Sequence, residues 1–239
     1  MTFKKNSFFK KIFEKFKNTK KIPLIDLHVH TNWTDGTNTV EEMASAACKK
    51  KISTILFSEH SRRTSGNWFS KFTNDIKKTQ KKIENKCKLL VGTEVKVLNF
   101  KGTLDINPKI KKKCDLIMAS VHRFPGEEGN IMKNTNDIKK NDAVEIEYDL
   151  LVAAINNSDA DIIGHPFGMS IKRFKIYPRW KLFKEIIKKC QKREKIFEVN
   201  FHYHNNYRQL LNECLNSKTL FSLGSNAHNK NELGKITKI

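Results

Sequence analysis

The sequence predicts an α/β fold in which seven parallel strands alternate with helices and close into a barrel. Three observations carry this. From Ile22 onward, short apolar runs alternate with helical patterns, which argues for parallel pairing through right-handed crossovers. The runs are rich in Ile, Val, Leu and Phe, as expected of strands buried on both faces. Seven of the eight histidines fall at or just after such runs, and strand ends share one chemistry when parallel strands close on themselves. An open doubly wound sheet for a dinucleotide would show a glycine-rich first turn. His28-Val29-His30 stands there instead.

The elements follow in order. Residues 1–21 form a basic amphipathic N-terminal extension in which Phe3, Phe8, Phe9, Ile12, Phe13 and Phe16 recur among lysines at roughly helical spacing. The favoured reading is a helix covering the bottom of the domain; the alternative is peripheral contact with an anionic membrane. The segment lacks the continuous apolar region and small-residue cleavage site of a secretory signal. Residues 22–239 then form the barrel domain. Strands are predicted over 24–29, 53–57, 89–97, 116–121, 161–164, 196–200 and 220–224. Helices are predicted over 39–50, 68–86, 148–157, 180–193 and 206–216. Thr39 followed by Glu42 makes a capping box for the first helix.

At 239 residues the chain suits one α/β barrel. No apolar run approaches the roughly 20 residues of a spanning helix. The formal charge is +21, which steers anionic ligands toward the protein. The lysines read mostly as solvated helix faces, and no aromatic-basic motif accompanies them. A small phosphorylated substrate is therefore expected ahead of nucleic acid. Five cysteines, with no CxxC pair, read as small buried hydrophobes in a reducing cytoplasm.

The histidines define the candidate site. His28 and His30 are two apart on a strand end and point to the same side. Asp35 can reach the same mouth, with Gly36 permitting the tight turn beside it. His60, His122, His165 and His228 each end a strand. Glu94 also ends one, and a carboxylate there can bridge two divalent ions. The rival for Glu94 is an ion pair with Lys96, which shares its side of the strand, or with an Arg, because a buried carboxylate needs a partner. His202 and His204 read as loop histidines, with His202 possible as a substrate contact.

The set DxHxH with TDG, then EH, GTE, SVH, GHP and SNAH, in order from Asp26 to His228, resembles the PHP (polymerase and histidinol phosphatase) domain. The resemblance implies a distorted seven-stranded (β/α) TIM-like barrel of PHP type, with a trinuclear cleft at the C-terminal ends of the strands. It places a first metal on His28, His30, Glu94 and position 226, a second on Asp35, His60 and His228, and a third on Glu94, His122 and His165. Two or three divalent ions (Zn, Mn or Fe) are then expected, with a catalytic water activated by metal beside Glu94, Asp35 and His60. Arg123 and Arg173 are candidates for bidentate phosphate binding.

Two departures stand out. Asn226 replaces the family's usual Asp, so it brings a carbonyl ligand without charge, and Glu59 precedes His60 where Asp is common. The implied activity is hydrolysis of a phosphomonoester or small phosphodiester. The alternative is a degenerate, noncatalytic metal-binding or regulatory module marked by Asn226. Hydrolysis of a non-phosphate substrate, as in metal barrels of the amidohydrolase type, is a third reading, weakened because that type carries a bridging lysine and no lysine ends a strand among these motifs.

Overall fold

The computed structural model describes residues 3–84, 86–125 and 138–235. In chain order the elements are α1 (Lys5–Thr19), β1 (Ile25–Val29), α2 (Val40–Lys49), β2 (Thr54–His60), α3 (Trp68–Lys82) and β3 (Lys88–Lys96). There follow α4 (Pro108–Lys111), β4 (Leu116–Ser120), α5 (Lys140–Asn157), β5 (Ile162–Ile163), α6 (Gly168–Lys172), α7 (Trp180–Lys192), β6 (Ile196–Asn200), α8 (Tyr207–Asn216) and β7 (Phe221–Gly224). All six neighbouring strand pairs are parallel, in the order β1-β2-β3-β4-β5-β6-β7.

The two edges meet. Val29 bridges Ala227 in parallel, and the His30 amide donates to the Ala227 carbonyl at 2.9 Å. Asp26 fastens the seam: its buried carboxylate accepts from the Ser225 amide (3.0 Å), the Ser225 hydroxyl (2.6 Å) and the Gly234 amide (2.9 Å). The sheet is therefore a nearly closed (β/α)7 barrel. β1, β4, β5, β6 and β7 are buried throughout, which is why their sequences are mostly apolar, broken only by residues such as Asp26, His28 and Glu198 that bond within the barrel.

The apolar face of α1 turns inward. Phe9, Ile12, Phe13 and Phe16 are buried, and Phe16 meets Phe221 edge-on at 5.7 Å between ring centres. Phe221 opens β7, so α1 packs at the N-terminal end of the barrel. Lys5 adds an ion pair with Asp161. No described helix is long and apolar enough to cross a membrane.

The predicted capping box forms. Thr39 Oγ1 accepts from the Glu42 amide at 3.2 Å while Glu42 accepts from the Thr39 amide at 2.8 Å. Two helices differ from expectation by several residues, and two more were not expected. The helix predicted over 68–86 stops at Lys82, where Gln80 turns to bond the Cys87 carbonyl (2.9 Å) and the Leu89 amide (2.7 Å); residue 85 lies outside the described residues. The helix predicted over 148–157 begins at Lys140. Its apolar stripe is interrupted by Glu147, which faces inward. The short helices α4 and α6 were not expected at all, since neither is long enough to show a period.

Glu147 is buried because it caps α6 from outside, accepting from the Met169 amide (3.0 Å), the Ser170 amide (2.7 Å) and the Ser170 hydroxyl (2.6 Å). Burial pushes its carboxyl from 4.5 up to about 7, against those three donors. A raised folded value means its contribution to stability is complete below about 4.5 and is lost as pH rises through about 7. Denaturant unfolding at pH 4 and pH 8 should show the wild type losing about 3 kcal/mol more than Glu147→Gln across that interval.

Candidate metal centre

The strand register assembles the site at the C-terminal mouth of the barrel. β2 and β3 pair His60 with Glu94; His28 lies in β1, His30 directly follows it, and His122, His165 and His228 follow β4, β5 and β7 by two, two and four residues. Eight of the expected residues converge: His28, His30, Asp35, His60, Glu94, His122, His165 and His228. Their ligand atoms form three groups with spacings within 4.8 Å: His30, Asp35, His60 and His228; His28, Glu94 and His165; and His60, Glu94 and His122.

Glu94 is the hub. Its Oε2 faces His28 Nε2 (3.3 Å), His30 Nε2 (3.5 Å) and His60 Nδ1 (3.3 Å). Its Oε1 faces His122 Nε2 (3.0 Å) and His165 Nε2 (2.9 Å). One carboxylate thus presents a separate oxygen to each of two imidazole sets. Asp35 Oδ2 forms the second hub, 3.3 Å from His60 Nε2 and 3.4 Å from His228 Nε2. The rival pairing of Glu94 with Lys96 does not form. Burial opposes a charge on Glu94, yet His122 and His28 hold its carboxyl well below the usual range. Burial likewise opposes charge on His28, but Glu198 and Glu94 raise its imidazole well above 6.5. His30 goes the other way, lowered by burial and then by His28.

The floor is closed and the rim open. His28, His30, Glu94 and His165 are buried, whereas the Asp35 side chain is 49% exposed. Several buried ring nitrogens have no hydrogen-bond partner: His28 Nε2, both nitrogens of His30, and His165 Nδ1. A buried donor or acceptor left unsatisfied costs about 1–3 kcal/mol. Unpartnered imidazole nitrogens turned toward carboxylates, in a mixed N/O set, fit a divalent transition ion.

Several supporting residues were not foreseen. Glu198, fully buried on β6, accepts from His28 Nδ1 (2.8 Å), the His165 amide (2.5 Å) and Asn200 Nδ2 (3.0 Å). It fixes the His28 tautomer and leaves Nε2 free to ligate. A Cβ on Gly224 would overlap Glu198 Oε1 and sit 2.6 Å from His28 Cβ, so glycine is needed where β7 passes this pair. Glu59 accepts from the Thr31 amide (2.8 Å) and hydroxyl (2.6 Å) and from Thr34. Thr34 in turn reaches Asp35, so Glu59 holds the loop that presents Asp35; burial pushes its carboxyl up to about 7. Gly36 serves space rather than a special turn: a Cβ there would lie 2.7 Å from the His30 carbonyl oxygen. A carboxylate inside an apolar strand, as in Ile196-Phe197-Glu198-Val199, is the signal that could have found Glu198.

Four further expected residues are not part of these His, Asp and Glu groups. Asn226 is half-buried with a left-handed backbone (φ 56°), and its main-chain carbonyl accepts from His228 Nδ1 at 2.9 Å, leaving Nε2 facing Asp35. Arg123 and Arg173 are exposed, and neither side chain bonds to the cluster among the described residues. His202 lies on the turn after β6, its ring 4.9 Å from that of Tyr203, which stacks on His165 at 4.3 Å. His204, expected as a loop histidine, is buried. It joins the Asn200 amide (3.1 Å) to the Pro166 carbonyl (2.9 Å).

Replacing Glu198 with Gln should weaken divalent metal affinity about 10–100-fold, since an orienting carboxylate of this kind contributes that much. Competition titration against a chromogenic chelator reads the change.

With this geometry in place, similarity to known proteins is informative. The PHP domain model matches residues 26–202, and the chain belongs to the PHP domain family. A "Probable phosphatase" of Thermoanaerobacter sp. (strain X514) is 31% identical over 144 residues, 60% of this chain and 54% of that protein; the chain thus spans about half the length of these curated relatives. A "Probable phosphatase" of Clostridium acetobutylicum is 26% identical over 225 residues, 90% of this chain and 83% of that one. The Bacillus subtilis DNA polymerase/3'-5' exonuclease PolX is 30% identical over 155 residues, 24% of its length. Among solved structures, histidinol phosphate phosphatase from Lactococcus lactis, complexed with Zn, L-histidinol and phosphate, superposes with a TM-score of 0.61 at 19% identity, covering 86% of each chain. A Listeria monocytogenes protein provisionally assigned as a histidinol phosphatase reaches 0.71 at 17% identity, covering 88% of this chain and 97% of that one. At these identities the solved structures speak for the barrel.

Proposed function

We propose that this protein is a metal-dependent phosphoesterase that hydrolyses a small phosphomonoester or phosphodiester in a trinuclear cleft. The observation that carries the reading is Glu94, whose two oxygens face two separate imidazole sets. His28, His30, Glu94 and Asn226 would hold one ion, Asp35, His60 and His228 a second, and Glu94, His122 and His165 a third. The phosphatase names of relatives sharing the family domain support the same chemistry. Bound Zn, Mn or Fe would lower the pKa of a coordinated water toward about 7 and offset charge on the phosphoryl oxygens.

The chain's own residues supply the rest. Glu198 and the Asn226 carbonyl fix which nitrogens of His28 and His228 face the cleft. Asp35, half-exposed, stands where substrate approaches. Arg123, directly after His122, and Arg173, in the loop after His165, would bind phosphoryl oxygens at the rim. The test is a screen of phosphomonoesters and nucleotides, with L-histidinol phosphate included, on protein loaded with Mn, Zn or Fe. Turnover abolished by chelation supports the proposal. No turnover from metal-replete protein, with activity gained in Asn226→Asp, identifies a degenerate module instead.

A further inference from the structure

The turn that carries His165 is strained and is held from two sides. It joins β5 to α6, and both His165 (φ 24°) and Phe167 (φ 68°) have positive φ without being glycine. Such a residue costs on the order of 1–3 kcal/mol and persists only where its surroundings fix it. Two buried side chains from elsewhere in the chain do so. Glu147, on α5, accepts from the Met169 amide (3.0 Å), the Ser170 amide (2.7 Å) and the Ser170 hydroxyl (2.6 Å). His204, after β6, lies 2.9 Å from the Pro166 carbonyl through Nε2, and its Nδ1 accepts from the Asn200 amide at 3.1 Å. A carbonyl only accepts and an amide only donates, so Nε2 carries the proton and the ring is neutral. Both side chains are 1% exposed, and neither stands in the three candidate metal groups.

The His165 ring needs such support because it lacks the usual kind. A metal-binding histidine is ordinarily oriented by a bond to its other nitrogen. Glu198 does this for His28 Nδ1 and the Asn226 carbonyl for His228 Nδ1. His165 Nδ1 is buried with no hydrogen-bond partner. Packing therefore sets how the ring turns Nε2 toward Glu94 Oε1, 2.9 Å away. One wall is Tyr203, stacked at 4.3 Å between ring centres. The other is Gly168, so close that a Cβ there would lie 2.6 Å from His165 Nδ1 and 3.2 Å from Tyr203 Cδ1. Gly168 directly precedes Met169, whose amide Glu147 holds, and Tyr203 directly precedes His204. Each clamping side chain is thus one residue removed from a wall of the slot.

We propose that Glu147 and His204 are positioning residues for His165, acting through Gly168 and Tyr203 to set the imidazole that would hold an ion at Glu94 Oε1. The link from clamp to ring is read from these contacts; the consequence for metal rests on the metal reading of the cleft.

A double-mutant cycle tests the link. Zn affinity is measured by competition with a chromogenic chelator for wild type, Glu147→Gln, His204→Phe, His165→Ala and the two doubles that combine a clamp substitution with His165→Ala. Each clamp substitution alone should weaken one class of Zn site about 10–100-fold, the scale of a lost orienting group, and leave the others unchanged. On the His165→Ala background the same substitutions should change affinity by less than about 2-fold, since their route is already removed. Equal losses in both backgrounds, or no loss in either single variant, overturn the proposal. Ser170→Ala, which removes one of the three donors to Glu147, takes the place of a clamp variant that does not fold. Long-range proton–nitrogen NMR of the metal-free proteins gives a second readout. The His165 ring signals should shift or broaden in each clamp variant while those of His60 and His228 stay. Protein that binds no Zn yet shows this change removes the metal reading and leaves the positioning role. Unchanged His165 signals overturn the positioning role whether or not Zn binds.

Discussion

Glu94→Gln should lower kcat/KM of the metal-loaded protein by more than about 100-fold for any phosphate ester it turns over. The expectation follows from position. Carboxylates that merely orient a metal ligand are worth about 10–100-fold in affinity or activity. Glu94 instead faces five imidazoles directly, with Oε1 on His122 and His165 and Oε2 on His28, His30 and His60. Glutamine keeps the shape and one carbonyl oxygen but removes the negative charge that two ions would share. Glu94 is 2% exposed, so Gln fits the space, although the variant loses the charge that His122 and His28 stabilise and should melt somewhat lower than the wild type without metal. Steady-state kinetics across added Mn concentrations would show whether the loss lies in metal binding. If the variant regains wild-type rates at high Mn, Glu94 affects only affinity.

Phe9→Ala should destabilise the fold by about 3–5 kcal/mol, the usual cost of emptying a phenylalanine site in a core. Phe9 is fully buried and lies with Ile12, Phe13 and Phe16 on the inward face of α1. For a chain of this size the melting temperature should fall by roughly 2–4 °C per kcal/mol. Thermal melting checks this, and a vesicle-flotation assay on the same variant gives the contrast. A helix whose apolar face served a membrane would lose vesicle binding on Phe9→Ala and keep its melting temperature.

The barrel was legible because parallel strands buried on both faces leave apolar runs, and because the residues that end them share one chemistry. The convergence of His28, His30, His60, Glu94, His122, His165 and His228 was legible for the same reason: each ends or closely follows a strand. Glu198 and the structural roles of Glu59 and Asp26 escaped notice because they obey different physics. Glu198, Glu59 and Asp26 act through partners distant in sequence, and only the closed barrel brings Glu198 under His28. Glu147 hid the first half of α5 by placing a carboxylate on its buried face. Tyr203 meets His165 only because the turn after β6 folds over the GHP loop. Asn226 was legible as a departure, but its main-chain role toward His228 depends on a left-handed conformation that the sequence does not announce.

Glu94, with an oxygen toward each of two imidazole sets, would hold divalent ions in the cleft. Inductively coupled plasma mass spectrometry on protein loaded with Mn and desalted tests it most directly. The account predicts two or three ions per chain, with at least one lost in Glu94→Gln. Protein that retains no metal, or a metal content that Glu94→Gln leaves unaltered, would contradict it.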